Sequence, residues 1–503
     1  MVLVILALML TPNYWTAASP GLAQWSDLAT ISSRVWDHSG LFWEPNYVAY
    51  VRAHLNATPW AYAWSKVKKE ADDSLSFIPQ PIRGSWNVPE YYADTAGYLL
   101  AVAPLENSRD AMLWSADAYL ITHDDKFALN VVRIANAWTG SLMSVDSDQA
   151  KCNAVWGLQG MAEAAEMIHQ FQGWDAGKKQ AFTSWLVERT NYLKGLGGWS
   201  ENNLFYWRAM LSMAVGVLAE NTELFDYAVR VFRSAIRDGI ASDGHMPLET
   251  ARGYRGIHYT DFAIDPLVFI AEMARRQGID LYPYQATVSD SYSSYRPTNV
   301  SLKLAIDYLF KYLDKPKEWP WSSAPQDYAN ALRYNFGWAE LAFYHWGDPT
   351  IMRYLSVRRP VFDSDAGGMV TLTNGLPSAD DAETSVDMAN LYIQSATREN
   401  RTQGLGEAQS LLQEANAAMK TRNYTAAIDF AFQAYYAAGK ATKPMAAIAS
   451  TENSTTSQGA SFAGASSLYQ TVEVVAIICV AACAAAVLTI RRRRSHVSCD
   501  PVA

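Results

Sequence analysis

Four cysteines in 503 residues exclude a disulfide framework. Cys152 stands alone, Cys479 and Cys483 lie in an apolar run, and Cys499 sits close to the end of the chain. His-x-x-His and Cys-x-x-Cys patterns are both missing, so the spacing supports no metal site and calls for no other cofactor. Strand-type alternation is scarce, which leaves helices to build the core. Positive charge is also in short supply. With 41 Lys and Arg against 50 Asp and Glu the net charge is −9, and nucleic acid is excluded as a partner.

What the chain has in quantity is apolar and aromatic surface: 50% hydrophobic residues, 18 Trp and 28 Tyr, enough for a large core. Most of these rings are expected between helices, with a few left to lie against the apolar faces of sugar rings. Apolar stripes recur at helical spacing. Leu158, Met161, Ala162 and Ala165 form one, Met210, Met213, Ala214, Val217 and Leu218 the next, and Leu224, Ala228, Val231, Phe232 and Ala235 a third. Short turns such as Thr122 to Lys126, Asp238 to Gly244 and Gly347 to Pro349 separate them, as in antiparallel helix pairs. The expected fold is all-α, an (α/α) toroid of helical hairpins over residues 24–350.

The flanking segments read differently. Val2 to Leu10 is an unbroken apolar run followed by small residues, which makes residues 1–23 an expected signal peptide. Residues 351–400, with a Ser-, Asp- and Gly-rich stretch to about Asp381, are expected as a linker region, 401–440 as a helical-hairpin spacer and 441–471 as an Ala/Ser/Thr/Gly-rich stalk. Residues 472–490 form an expected membrane helix, and Arg491 to Arg494 hold the basic tail, 491–503, in the cytoplasm by the positive-inside rule. A single-pass, outward-facing, monomeric surface protein is the expectation. Asn-x-Ser/Thr triplets at Asn56, Asn299, Asn400, Asn423 and Asn453 suit an outside-facing surface.

Two blocks carry the chemistry. Residues 199–207 read Trp-Ser-Glu-Asn-Asn-Leu-Phe-Tyr-Trp, and residues 243–259 read Asp-Gly-His-Met-Pro-Leu-Glu-Thr-Ala-Arg-Gly-Tyr-Arg-Gly-Ile-His-Tyr. Carboxamides, guanidinia and a phenol suit a uronic acid. Removing the proton beside a sugar carboxylate builds an enolate-like dianion, which Arg and Asn donors stabilise. A phenol moves the proton once cationic neighbours lower its pKa from about 10.

In order and spacing these blocks resemble the alginate lyases of polysaccharide lyase family five and their wider superfamily. Those enzymes carry Asn-Asn-His-Ser-Tyr-Trp where this chain has Asn202-Asn203-Leu204-Phe205-Tyr206-Trp207, and an Arg seven residues before a Tyr, as Arg252 precedes Tyr259. The similarity extends upstream through Gly84 to Tyr92 and on to about Trp346. The resemblance implies that Asn203 and Arg252 bind the carboxylate and that Tyr259 is the catalytic acid. The family's histidine base is Leu204 here.

Asn202, Tyr206, Trp207, Arg255, His245 and Trp86 complete the expected substrate-binding set. Asn202 is also a good helix N-cap, Tyr206 and Trp207 suit a core equally well, and Glu249 is better placed to brace an arginine than to act as a base. His258 adjoins Tyr259, and neighbours on a helix diverge by about 100°. Two other functions compete: a glycoside hydrolase drawing two carboxylates from Glu90, Asp94, Glu249 and Asp261, and an inactive glycan-binding protein, suggested by Leu204. In D-mannuronate and D-glucuronate the leaving proton and oxygen share one face, so Tyr259 alone can serve both. The expected substrate is therefore an acidic polymer of the mannuronan or glucuronan kind.

Overall fold

The computed structural model describes residues 34–142, 144–197, 201–327 and 335–444. The expected signal peptide, membrane helix and basic tail, and the stalk beyond residue 444, lie outside the described residues. Among the described residues no helix is long and apolar enough to cross a membrane.

After α1 (Pro45–Ala53) the chain runs as outer and inner helices in alternation: α2 (Trp60–Ser74) and α3 (Thr95–Thr122), α4 (Asp125–Trp138) and α5 (Asp148–Met167), α6 (Ala176–Gly195) and α7 (Asn203–Leu218). Then come α8 (Thr222–Gly239), the single turn α9 (Pro247–Thr250) and α10 (Gly256–Arg276), followed by α11 (Leu302–Asp314) and α12 (Gly337–Trp346). The inner helices α3, α5, α7, α10 and α12 pack side by side in that order. Their sequences explain their place. α7 is buried at nearly every position from Tyr206 to Leu218, and α10 from Thr260 to Ala274, as expected of helices apolar all round. Outer α8 buries one stripe, Leu224, Ala228, Val231, Phe232 and Ala235 among it. Side-chain caps start the inner helices at one end of the ring: Asp94 accepts from Gly97 N, Ser147 from Ala150 N, and Asn202 from Leu204 N. Strand is limited, among the described residues, to two ribbons, Ser85–Trp86 with Ser144–Val145 and Gln285–Val288 with Thr298–Ser301.

Residues 351–400 are not a linker. They hold most of α13 (Pro349–Leu355) and all of α14 (Val370–Asn374) and α15 (Ala379–Arg398), and residues 361–374 close the ring, with α14 packed between α12, α1 and α2. The polar composition of this stretch is spent inside. Gly367 N donates to Glu163 at 2.8 Å, Met369 N to Asp117 at 2.9 Å and Gly337 N to Asp363 at 3.0 Å, while Arg109 binds Asp365 at 2.6 Å. Gly367 and Gly368 have φ of +87° and +64°, and a Cβ on either would lie 2.9 Å from the Phe269 ring or 2.8 Å from Asp117 Oδ2. Nor is the following hairpin free-standing. α16 (Leu405–Lys420) and α17 (Tyr424–Lys440) pack on α15, and Tyr50 and His54 of the α1 segment bond Thr425 O and Asp429.

Burial raises the carboxyls that face this loop: Asp117 to about 8 and Glu163 to about 7, with Asp265 and Asp363, which face each other, well above the carboxylate range. Such groups hold protons in the folded chain that the unfolded chain has already released, so their contribution is complete below about pH 4 and is lost as pH rises through about 7 to 8. The melting temperature should fall between about pH 5.5 and pH 8.5. Asp117→Asn, which can still accept from Met369 N, should flatten part of that slope in calorimetry across the range.

Candidate active site

The chain enters this region through the Asp243–Met246 turn and α9, started by Pro247 at its first position. One 3₁₀ turn, Gly253–Arg255, then leads directly into α10. Gly253, at φ +65°, permits the bend. Gln326 clamps the turn: its Nε2 donates to Gly253 O at 3.0 Å and its Oε1 accepts from Ile257 N at 3.1 Å. The result brings Arg252 and Tyr259 together although α10 itself begins only at Gly256. The Arg252 guanidinium lies 3.8 Å from the centre of the Tyr259 ring. Arg255 lies 3.6 Å from the ring of Tyr92 and 4.6 Å from that of Tyr254.

Tyr92 completes the group. Burial, and after it the neighbouring Tyr259 phenol, pushes its own phenol up to about 12 despite the two arginines. Tyr92 and Tyr254 are 56% and 44% exposed, so this is an open, aromatic and cationic surface. Tyr91 packs edge-on to both Tyr92 and Tyr98. Beyond Tyr98 the lining becomes polar: Asn153 Nδ2 donates to the Tyr98 hydroxyl at 2.8 Å and to Glu106 at 3.2 Å, and burial pushes Glu106 up to about 7. Stacking on phenols uses the faces of the guanidinia and leaves their N–H edges for an anion. Two neighbouring phenols beside such edges have the chemistry to bind a carboxylate and carry a proton.

The fold is a helical toroid with an open aromatic and cationic surface at one end of its ring. Residues 101–319 match the family described as alginate lyase. A polysaccharide lyase of Stenotrophomonas maltophilia is 30% identical over 215 residues, 38% of this chain and 63% of that protein. An alginate lyase of Pseudomonas syringae pv. tomato is 38% identical over 82 residues, 16% of this chain and 21% of that one. The chain thus spans less than two thirds of either relative. Alginate lyase A1-III of Sphingomonas species A1 superposes with a TM-score of 0.56 at 22% identity, over 68% of this chain and 99% of that one, and shares the fold. By these matches the toroid is similar to alginate lyases in sequence over residues 101–319 and in fold.

Several residues expected at the site lie elsewhere. Asn203 is fully buried. Its backbone N and Nδ2 donate to the two oxygens of Glu249 at 2.8 and 2.7 Å, so its amide braces α9 instead of facing the mouth of the ring. Glu249 needs those donors, because burial has pushed it up to about 7. Asn202 caps α7. Tyr206 and Trp207 are core residues, Trp207 bonding Phe262 O at 3.1 Å. Trp86 is also buried, its indole tied to Ala101 O at 3.1 Å. His245 is enclosed by Tyr292 and Trp321 and paired with Asp243, so it does not reach an open surface. Tyr92 is the residue that reading the sequence missed. It closes the Gly84–Tyr92 block, and only the fold shows that it meets Tyr259.

Glu249→Ala should remove the acceptor of two buried donors and cost about 1–3 kcal/mol in denaturant unfolding. Arg252→Ala, at an exposed guanidinium, should stay within about 0.5 kcal/mol. Equal losses would show that Asn203 and Glu249 are not the brace.

Proposed function

We propose that this chain is a polysaccharide lyase that cleaves a uronic-acid polymer by β-elimination. The observation that carries this reading is the Arg252–Tyr259–Tyr92 group at the mouth of a toroid whose relatives are named alginate and polysaccharide lyases. Arg252 and Arg255 offer N–H edges to the uronate carboxylate and stabilise the dianion formed when the carbon-five proton leaves. The Tyr259 oxygen takes that proton and returns it to the oxygen leaving carbon four, and a double bond forms between the two carbons. The hydrolase alternative needs two carboxylates flanking the bond. Of its candidates, Asp261 accepts from Trp338 Nε1 in the core, Glu249 is held by Asn203 and Asp94 caps α3.

Leu204 narrows the substrate. At this half-buried position an alkyl group cannot accept a proton, and the enclosed His245 does not replace it. A mechanism resting on Tyr259 requires proton and leaving group on one face, as in mannuronan and glucuronan. In an ultraviolet assay for the new double bond, Tyr259→Phe should lower turnover of such polymers about 10²- to 10⁴-fold. Arg252→Ala should be comparably slow. Guluronan should remain uncut by the wild type and become a substrate, if any variant allows it, on Leu204→His. Full turnover by both Tyr259→Phe and Arg252→Ala would overturn the assignment.

The enzyme is further proposed to face outward from a membrane, exported through residues 1–23 and held by residues 472–490, with 491–503 in the cytoplasm. The support is the pair of apolar runs and the four arginines after the second. Protease added to intact cells should release the large fragment and spare an antibody epitope placed on the tail. Protection of the whole chain would overturn this topology.

A further inference from the structure

At the opposite end of the ring from the candidate active site, three segments distant in sequence converge. His38 belongs to the stretch before α1, Glu166 and His169 to the end of α5 and the turn after it, and Glu220 to the turn between α7 and α8. His38 Nδ1 lies 2.8 Å from Glu166 Oε1, and its Nε2 lies 3.4 Å from Glu220 Oε1. The imidazoles of His38 and His169 are stacked, their centres 3.8 Å apart and their planes within 6°. One ligand atom from each of His38, Glu166 and His169 falls within 4.8 Å of the others.

An ion pair accounts for only half of this cluster. Glu166 Oε2 and His169 Nδ1 are both buried and have no hydrogen-bond partner among the described residues. The Glu166 side chain is 0% exposed and that of His38 9%. A buried carboxylate oxygen left without a donor is costly, and two such atoms beside one histidine pair need a shared partner.

We infer that His38, Glu166 and His169 form a binding site for a divalent cation of the zinc class, with Glu220 at its exposed side. Two imidazoles and a carboxylate are the nitrogen and oxygen donors zinc takes, and a three-residue set leaves a fourth position for Glu220 or water. The parallel rings must turn about the Cβ–Cγ bond for their nitrogens to converge on bonds of about 2.0–2.1 Å. The bound ion would fasten the residue 34–43 strap to the ends of α5 and α7. That strap is otherwise tied to α10 through Asp37 N and Gln277 and through Arg276 and Gly40 O. The role is structural, remote from Tyr259, and independent of the lyase reading.

The test uses the full, untagged chain in detergent, stripped with a chelator and titrated with Co²⁺ and then Zn²⁺. One equivalent of Co²⁺ should give the visible absorption of a four-coordinate ion, and Zn²⁺ should displace it and raise the melting temperature by about 3 °C. His169→Gln and His38→Gln, each confirmed as folded by circular dichroism, should weaken uptake about tenfold or more. Failure of the wild type to take up one equivalent would overturn the site, leaving a bridging water as the shared partner. Uptake as tight in both variants as in the wild type would overturn it equally, by placing the ion elsewhere. The cluster is remote from Tyr259, so any polymer cleavage shown by the wild type should be unchanged in His169→Gln.

Discussion

The structure depends on how the polar loop at residues 363–369 is held inside a ring of apolar helices. Helices buried on every side offer no hydrogen bonds laterally, so a loop crossing them must find its partners in a few polar side chains. Glu163 and Asp117 serve the backbone of Gly367 and Met369 across 204 and 252 residues of chain, and Arg109 fixes Asp365. Arg359, bonded to Glu340 at 2.9 and 2.7 Å, ties the entry to this loop onto α12. Without these contacts the gap between α12 and α3 would have no filling, and the inner helices would lose a common wall.

The same economy governs the candidate site. An exposed arginine has several rotamers, and a catalytic one must be confined to few of them. Here confinement comes from a chain of contacts running outward from the core. Asn203 holds Glu249, Glu249 lies in α9, α9 ends two residues before Arg252, and Arg252 rests on the Tyr259 ring. Gln326 fixes the other side of the turn by bonding Gly253 O and Ile257 N. The buried amide thus acts on the surface guanidinium through the backbone between them.

This relay explains which features were legible in the sequence. Helical stripes such as Leu224 to Ala235 could be read because one face of an outer helix repeats every three or four residues. The Arg252–Tyr259 spacing was equally local. Residues 351–400 could not be read, since Ser, Asp and Gly look the same in a solvated linker and in a loop whose donors and acceptors are met by residues two hundred positions away. Trp86, Trp207 and Tyr206 were ambiguous for a different reason: a large ring serves core and cleft alike. In the two tryptophans the choice is visible in an indole N–H bonded to a buried backbone carbonyl. Asn203 donates its amide to Glu249, a contact that the motif alone did not reveal, because a motif identifies a position without saying which way its amide faces.

Leu204 and Tyr92 then bear on one question, where a proton can go. A histidine at the start of α7 would supply a base on a face of the sugar that Tyr259 does not command. With leucine there, the described proton-carrying groups at this surface are the phenols of Tyr259 and Tyr92, each beside an arginine. Tyr92, raised by burial and by the neighbouring Tyr259 phenol, keeps its own proton at neutral pH. It can therefore donate a hydrogen bond to a Tyr259 oxygen that is carrying charge, which is the state a base must reach before it takes the carbon-bound proton. In the proposed reaction Leu204 and Tyr92 point the same way: both concentrate the proton chemistry on one oxygen and on one face of the sugar ring.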